Sequence, residues 1–566
     1  MGDLKKTFLA GFVVLLIILA APSYLNFIGY SSNENSDIHV DVKDESVDQK
    51  PNSAVSVPVI LHQPDTEDEI YNIHTELYNL KFSSKGGGSV QSYQLANKRQ
   101  FLGGYNDFGV FQNDSGALLI NNSGGCAPCV GVQEDGGDPM LLDNYLWELV
   151  SILPQQNPNQ SSIALALNDT LHLKFKYPLS DTHSIIKEIV FYGNSFVSQH
   201  NVTIRGDELS GVRVFLFWDK GINNTEENLY DELTYASTSF SVNDEIETIT
   251  FSPDDVAETF EGAIERSGKI NWLGIRNKYF IAAFVPKDAS SVRVDAIASL
   301  LQNSPVPIYN ATVVSSNHEL SSHIFLGPLD IDHINALNTS LDRIMNFGWV
   351  IIQPFSRGVL WLLKLLHSTG LNYGIILILF AFIVRIITGP LTKKSFESSQ
   401  KMQAVQPKLK KLQEKYKNDS KKLNQEMMKL YRDNDVNPAG GCFPMLLQMP
   451  LLFALFLVFR STIEFRGAPF FGWISNLSQP DTIFNLPFYI PIYGDQVAFL
   501  PLLLGISMFL TQKMSMANMD KQQKPMMYMM SAFFFLIFNS FPSGLNLYYL
   551  IYNILNYLQQ RSLKKA

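Results

Sequence analysis

Five apolar runs crowd the last third of the chain, at about 371–390, 443–461, 497–512, 525–541 and 544–560. Each approaches the ~20 residues that a helix needs to cross ~30 Å of hydrocarbon. Backbone in lipid must satisfy its own hydrogen bonds, so such runs are expected to span as packed helices. The first of them carries a cation. The uncharged stretch from Gly374 to Val384 is followed by Arg385, and IITGPLT then separates it from Lys393 and Lys394. A cation at the centre of a spanning helix costs roughly 2.5–3.5 kcal/mol unless something offsets it. A snorkelling anchor is one explanation, although Lys393 and Lys394 are better placed for that task. No Asp or Glu lies inside any of the five runs. Arg385 therefore needs water or neutral acceptors, which points to a wet cavity.

Charge sets the orientation. Residues 31–345 hold 19 Lys+Arg and 42 Asp+Glu, whereas residues 346–566 hold 23 and 10. An acidic first part and a basic, apolar second part imply two environments, the basic one near a membrane or nucleic acid. Lys5 and Lys6 precede a further apolar run from Phe8 to Ala21. It reads as either a cleaved signal peptide or an uncleaved signal-anchor, and in both cases the chain after Tyr30 is exported. Counting the anchor gives six spans. The Lys/Arg-rich segment 391–440, the loop 513–524 and the tail RSLKKA then share the cytoplasmic side with Lys5 and Lys6. Arg385, ~15–20 Å down from the outer side at 1.5 Å per residue, falls in the cytoplasmic half.

Between these parts, residues 31–68 are polar and acidic and read as a flexible linker. From 69 to 345 short alternating runs appear. LHLKFKY (171–177) alternates strictly, and VRVFLFW (212–218) and IETITF (246–251) do so in part. Gly, Pro, Asn and Asp clusters separate them, which is the rhythm of an antiparallel β-sandwich. FGWVIIQPFSRGVLWLLKLLHS (347–368) is apolar but carries Arg357, Lys364 and His367, with Pro354 and Gly358 as interruptions. An amphipathic helix on the bilayer surface is expected there, within 346–368. In the cytoplasmic segment, Met402, Val405, Leu409, Leu412 and Tyr416 are spaced 3, 4, 3, 4, and Leu423, Met427 and Leu430 continue after NDS. Two short helices in a coiled-coil hairpin are expected. Lys408, Lys410, Lys411, Lys415, Lys417, Lys421 and Lys422 cluster near its tip, as a solvated face or as a contact for anionic lipid, ribosomal RNA or nascent chain.

Cys126, Cys129 and Cys442 are too few for a disulfide framework. CAPC (126–129) has redox spacing but sits in a Gly-rich stretch, so a loop disulfide and free thiols are the alternatives. No Walker-type loop, metal-ligand cluster or catalytic triad is evident, and no cofactor is expected. A transporter would show repeats or acidic residues in its spans. A carbohydrate-active enzyme would show paired carboxylates.

NPAGGCFPMLLQMPLLFALF (437–456) resembles the signature of the YidC/Oxa1/Alb3 family of membrane protein insertases. NYGIILILFAFIVRIITGPLTKKS, EFRGAPFFGWISNLS, FLTQKMS and FPSGLNLYYLIYNILNYLQQ follow the same family in order. LKFSSKGGGSVQSYQL, INWLGIRNKYFIAAFVP and FLGPLD resemble the periplasmic β-supersandwich of its bacterial members. The resemblance implies an α-helical inner-membrane protein with an uncleaved anchor (1–30), a five-helix core (369–560) and a short cytoplasmic tail (561–566). It implies a cytoplasm-open hydrophilic groove with Arg385 as the receiving arginine, and Gln512 and Tyr549 as groove neighbours. Gln448 is either a further groove residue or a hydrogen-bonding group within the bundle. Implied partners are nascent membrane proteins, the Sec translocon, the ribosome transiently, and the phospholipid bilayer. TIFNLPFYIPIYGDQVA (482–498) departs from the family pattern, as an insert expected to form an outer-leaflet loop.

Overall fold

The computed structural model describes residues 35–37 and most of 68–565, with breaks of which the longest are 108–115, 155–161, 252–259, 437–442 and 516–523. The expected anchor (1–30), nearly all of the linker, Lys417 and the start of the signature lie outside the described residues. The chain divides into two compact units. One lies within residues 33–345 and the other within 346–566.

The first unit is built of β-sheets with ten, six and five strands. Alternation explains the strands directly. In Thr170–Pro178, Leu171, Leu173, Phe175 and Tyr177 are buried, while Thr170, His172 and Lys176 are exposed. The pleat sends successive side chains to opposite faces, so one face meets the core. VRVFLFW is the strand Val212–Trp218, and IETITF supplies most of Glu245–Thr250. Neighbours pair antiparallel almost throughout, as expected. Within the expected linker, Asn35–Asp37 pairs parallel with Glu245–Thr250. Tyr93 of the five-stranded sheet donates its hydroxyl to the Leu326 carbonyl of the ten-stranded sheet at 3.0 Å.

CAPC forms a disulfide between Cys126 and Cys129, both buried. The turn Gly86–Gly88 lies against it. All three glycines have positive φ, and a Cβ on Gly86 would meet both sulfurs. Behind this turn sits Lys187, fully buried, whose Nζ donates to the Pro128 carbonyl at 3.1 Å. Burial pushes its pKa down to about 7.

The second unit is helical: α1 (Gln353–His367), α2 (Tyr373–Lys415), α3 (Ser420–Asp433), α4 (Phe443–Ser461), α5 (Phe499–Ser515), α6 (Lys524–Phe538) and α7 (Ser543–Lys565). Helix α1 is amphipathic but starts at Gln353. Pro354 occupies its first turn, where the missing N–H costs nothing, and Gly358 continues it. Ser356, Val359, Leu360 and Leu363 are buried, whereas Phe355, Trp361 and Leu365 are exposed. Lys364 lies 3.5 Å from the buried Glu464 carboxylate beyond α4. The hairpin expectation also needs correcting. Its first arm is no separate short helix but the extension of α2, which runs for 43 residues through Pro390 and Pro407. Its seam is as the spacing predicts: Val405 is buried and Met402, Leu409, Leu412, Tyr416, Leu423, Met427 and Leu430 are half-buried. Among the described residues one helical stretch, Tyr373–Lys394, is long and apolar enough to cross a membrane, and Gln448–Ser461 and Phe499–Gln512 are shorter apolar helices. The insert 482–498 is an antiparallel hairpin of Thr482–Ile490 and Gly494–Ala498.

Candidate functional site

Helix α2 starts at a defined cap. The Asn372 side chain accepts the Gly374 N–H at 2.8 Å and donates to the Pro469 carbonyl at 2.7 Å. Twelve residues on, at 1.5 Å each, Arg385 sits ~18 Å along the axis. Thr388 and Thr392 share its face at spacings of 3 and 4. Their hydroxyls donate to the carbonyls one turn back, of Val384 and Thr388, at 2.8 and 2.9 Å. Across from this face lies α7, which packs on α2, α4 and α5. Its Tyr548, Tyr552, Asn556 and Gln559 follow spacings of 4, 4 and 3 and line one stripe.

Arg385 is only 8 % exposed, and its head is caged by neutral groups. Nη2 donates to Asn556 Oδ1 at 2.9 Å and to Gln559 Oε1. Nη1 makes long contacts of 3.5 Å with the hydroxyls of Thr392 and Tyr552. The guanidinium carbon lies 5.5 Å from the Tyr552 ring centroid, so a cation–π attraction adds to these bonds. Among the described residues no carboxylate lies within ion-pair distance of Arg385, which agrees with the absence of acids in the spans. Gln559 also donates to the Gly389 carbonyl at 3.4 Å.

The cage leaves hydrogen-bonding capacity unused. Arg385 Nε is buried without a protein partner, and so are Asn546 Oδ1, the hydroxyls of Tyr548 and Tyr549, and Gln560 Oε1. Most buried polar atoms in proteins are satisfied, so a file of exceptions along α7 calls for a physical cause.

The other expected site residues sit elsewhere in the unit. Tyr549 is buried on α7, with its ring 5.7 Å from Phe538 and 5.0 Å from Tyr548. Gln512 is half-buried in the last turns of α5, and Gln448 is half-buried in the first turns of α4, ahead of Pro450. None of the three is a hydrogen-bond partner of Arg385. The partners themselves, Tyr552, Asn556 and Gln559, are polar residues of the last apolar run that the sequence alone does not assign to Arg385.

At the far end of α2, Lys408, Lys410, Lys411 and Lys415 are exposed, as are Lys421 and Lys422 at the start of α3. Lys415 and Lys422 flank the Tyr416 ring at 5.3 and 5.6 Å. Asp419 caps α3 by accepting the Lys422 N–H at 3.0 Å, and Lys408 donates to Asn434 at 3.2 Å.

Two family models match the chain. One, described as the YidC periplasmic domain, covers residues 71–362, and another, described as the 60Kd inner membrane protein, covers 364–566. A protein of Chlorobium phaeovibrioides named membrane protein insertase YidC is 37% identical over 422 residues, 69% of this chain and 70% of that protein. One of the same name from Prosthecochloris aestuarii is 31% identical over 514 residues, 89% of this chain and 84% of its own. A solved structure described as an active YidC insertase with the first transmembrane domain resolved is 18% identical, with a TM-score of 0.34, over 88% of this chain and 95% of that one.

Proposed function

The chain belongs to the YidC family of membrane protein insertases, and we propose that it receives the polar parts of its clients at Arg385. It is an inner-membrane protein with a β-rich periplasmic domain and a helical C-terminal region. Its activity is insertion, so its partners include newly made membrane proteins and the bilayer. Nothing favours the transporter or carbohydrate-active readings.

The anchor and five later helices span the membrane six times, with both termini in the cytoplasm. Helices α2, α4, α5, α6 and α7 enclose a hydrophilic groove open to the cytoplasm. The observation that supports it is the state of Arg385, nearly buried, held by weak neutral acceptors and with Nε unpartnered. Asn556 and Gln559 offer the charged guanidinium neutral amide oxygens, whereas a carboxylate adds the Coulomb attraction of a second full charge. A client carboxylate entering the groove therefore outcompetes a side-chain amide for the guanidinium. Client backbone carbonyls can use Nε without displacing anything. The orphaned hydroxyls of Tyr548 and Tyr549 and the amide oxygen of Asn546 continue the polar path along α7. Gln448 and Gln512 extend it on α4 and α5. Hydrating a polar flank in this groove shortens the apolar distance that it must cross. Client helices then leave sideways into lipid, driven by burial of apolar surface and aided by the membrane potential.

In this reading the lysines from Lys408 to Lys422 capture emerging chains and touch the ribosome transiently. Helix α1 braces the bundle through Lys364 and Glu464. The protein works alone or beside the Sec translocon.

Photo-crosslinking from position 556 and from its helix neighbour 549 to a stalled single-span client tests the site. Adducts at both are expected. Absence of adducts from 448, 512, 549 and 556 alike overturns it.

A further inference from the structure

The hairpin Thr482–Ala498 has no counterpart in the insertase task described above. Its strands carry a single charged residue, Asp495. Ile483, Phe484 and Phe488 are about half exposed or more, and Phe471 beside the same connection is 80% exposed. Pairing is irregular, with register breaks between Thr482 and Phe484 and again between Asn485 and Ile490. An isolated two-stranded hairpin of this kind is at best marginally stable in water, and an exposed apolar cluster marks a contact surface.

The base of the hairpin is nevertheless fixed. Asn539, buried after α6, accepts the Ala498 N–H at 3.1 Å and donates to the carbonyls of Tyr493 and Gln496 at 2.8 and 2.6 Å. Asp481 accepts the Leu500 N–H at 2.7 Å and the Trp473 indole N–H at 2.9 Å. The Trp473 ring meets Phe499 edge-on at 4.8 Å. The apolar strands are thus held at the entry of α5, whose Ile506, Phe509 and Leu510 are also exposed.

We propose that this hairpin is a lipid-interface anchor, lying at headgroup level in the outer leaflet. The proposal rests on the spanning assignment of α5. Lipid is the occupant because the hairpin carries almost no charge and is fixed at the entry of a helix that itself exposes Ile506, Phe509 and Leu510. Depth follows from the backbone. Two open strand edges and broken pairing exclude the hydrocarbon core, whereas Trp, Phe and Tyr rings suit the interface.

The test uses the full chain in phosphatidylcholine–phosphatidylglycerol vesicles, with Cys442→Ser to leave only the disulfide-bonded cysteines. Phe488→Cys, Phe484→Cys, Leu510→Cys and Ser290→Cys are each labelled with bimane. Lipids spin-labelled at a shallow or a deep acyl position serve as quenchers. Quenching at 484 and 488 is expected to be stronger with the shallow lipid, at 510 to be substantial with the deep one, and at 290 to be absent. If 510 is quenched but 484 and 488 are not, another copy, a client or water covers the hairpin. That result overturns the anchor and leaves α5 as a span. If 510 is unquenched as well, the spanning assignment itself fails and the anchor with it.

Discussion

Arg385 donates to Asn556 across 2.9 Å, pairing a nearly buried cation with an acceptor that carries no charge. The pairing holds the guanidinium without neutralising it. Replacing Asn556 with Asp changes only that property. A carboxylate adds ion–ion attraction to a bond that the guanidinium already charge-assists, and about 1.4 kcal/mol of added attraction is tenfold in occupancy. Asn556→Asp is predicted to lower insertion of an Arg385-dependent client on the order of tenfold, while Asn556→Ala retains most of it. Insertion of a short single-span protein in cells depleted of the wild-type insertase reads the difference.

The glycine turn over the disulfide makes a second prediction. A Cβ on Gly88 would lie 2.8 Å from Ile189 Cδ1 and from Phe175 Cε2, at a φ of +86°. Left-handed backbone costs an ordinary residue about 1–3 kcal/mol, and overpacking adds about 1–3. Gly136, at φ +76°, has nothing within 4 Å. Gly88→Ala is therefore predicted to lower the denaturant midpoint of the β-unit clearly more than Gly136→Ala does.

Lys187 predicts a pH dependence with a definite sign. Its pKa falls from 10.5 in the unfolded chain to about 7 in the fold, because burial disfavours the charged form. Between these values the unfolded chain binds one more proton, so stability rises with pH, by up to about 1.4 kcal/mol per unit. His200, also buried and also held below its ordinary value, first by burial and then by Lys187, gives the same sign below 6.5. Urea midpoints are predicted to increase from pH 7 to 10, and Lys187→Met is predicted to flatten that increase.

Asn539 makes a fourth. Its amide closes three bonds to hairpin backbone. Asn539→Leu leaves the Ala498 N–H and two carbonyls unmatched, at about 1–3 kcal/mol for each that stays buried. Proteolysis between Tyr493 and Gln496 is predicted to accelerate by at least about tenfold, with the β-unit unaffected.

Patterns that depend on local period were legible in the sequence. Strict alternation located Thr170–Pro178, and 3,4 spacing located the half-buried seam from Met402 to Leu430. The missing carboxylates anticipated the neutral cage, because Arg385 had nothing else to bond. Its actual partners were harder to read. Tyr552, Asn556 and Gln559 form a stripe only once α7 is paired with α2, and a single sequence does not reveal which helices are neighbours. Continuity of α2 was obscured by Pro390, since a proline ordinarily ends a helix. The hairpin is not distinguishable from a loop in the sequence because Pro487 and Asn485 mask its alternation, and what fixes it, Asn539, lies 41 residues beyond Ala498.

Depletion of the native insertase with rescue by variants is the sharpest measurement of whether Arg385 receives clients. Arg385→Ala is predicted to fail, and Arg385→Lys to rescue in part, when a short single-span client with a polar exported flank is scored. Normal amounts of the folded variant in the membrane are the control. Rescue by Arg385→Ala equal to wild type for every client tested would show that Arg385 is not the receiving group.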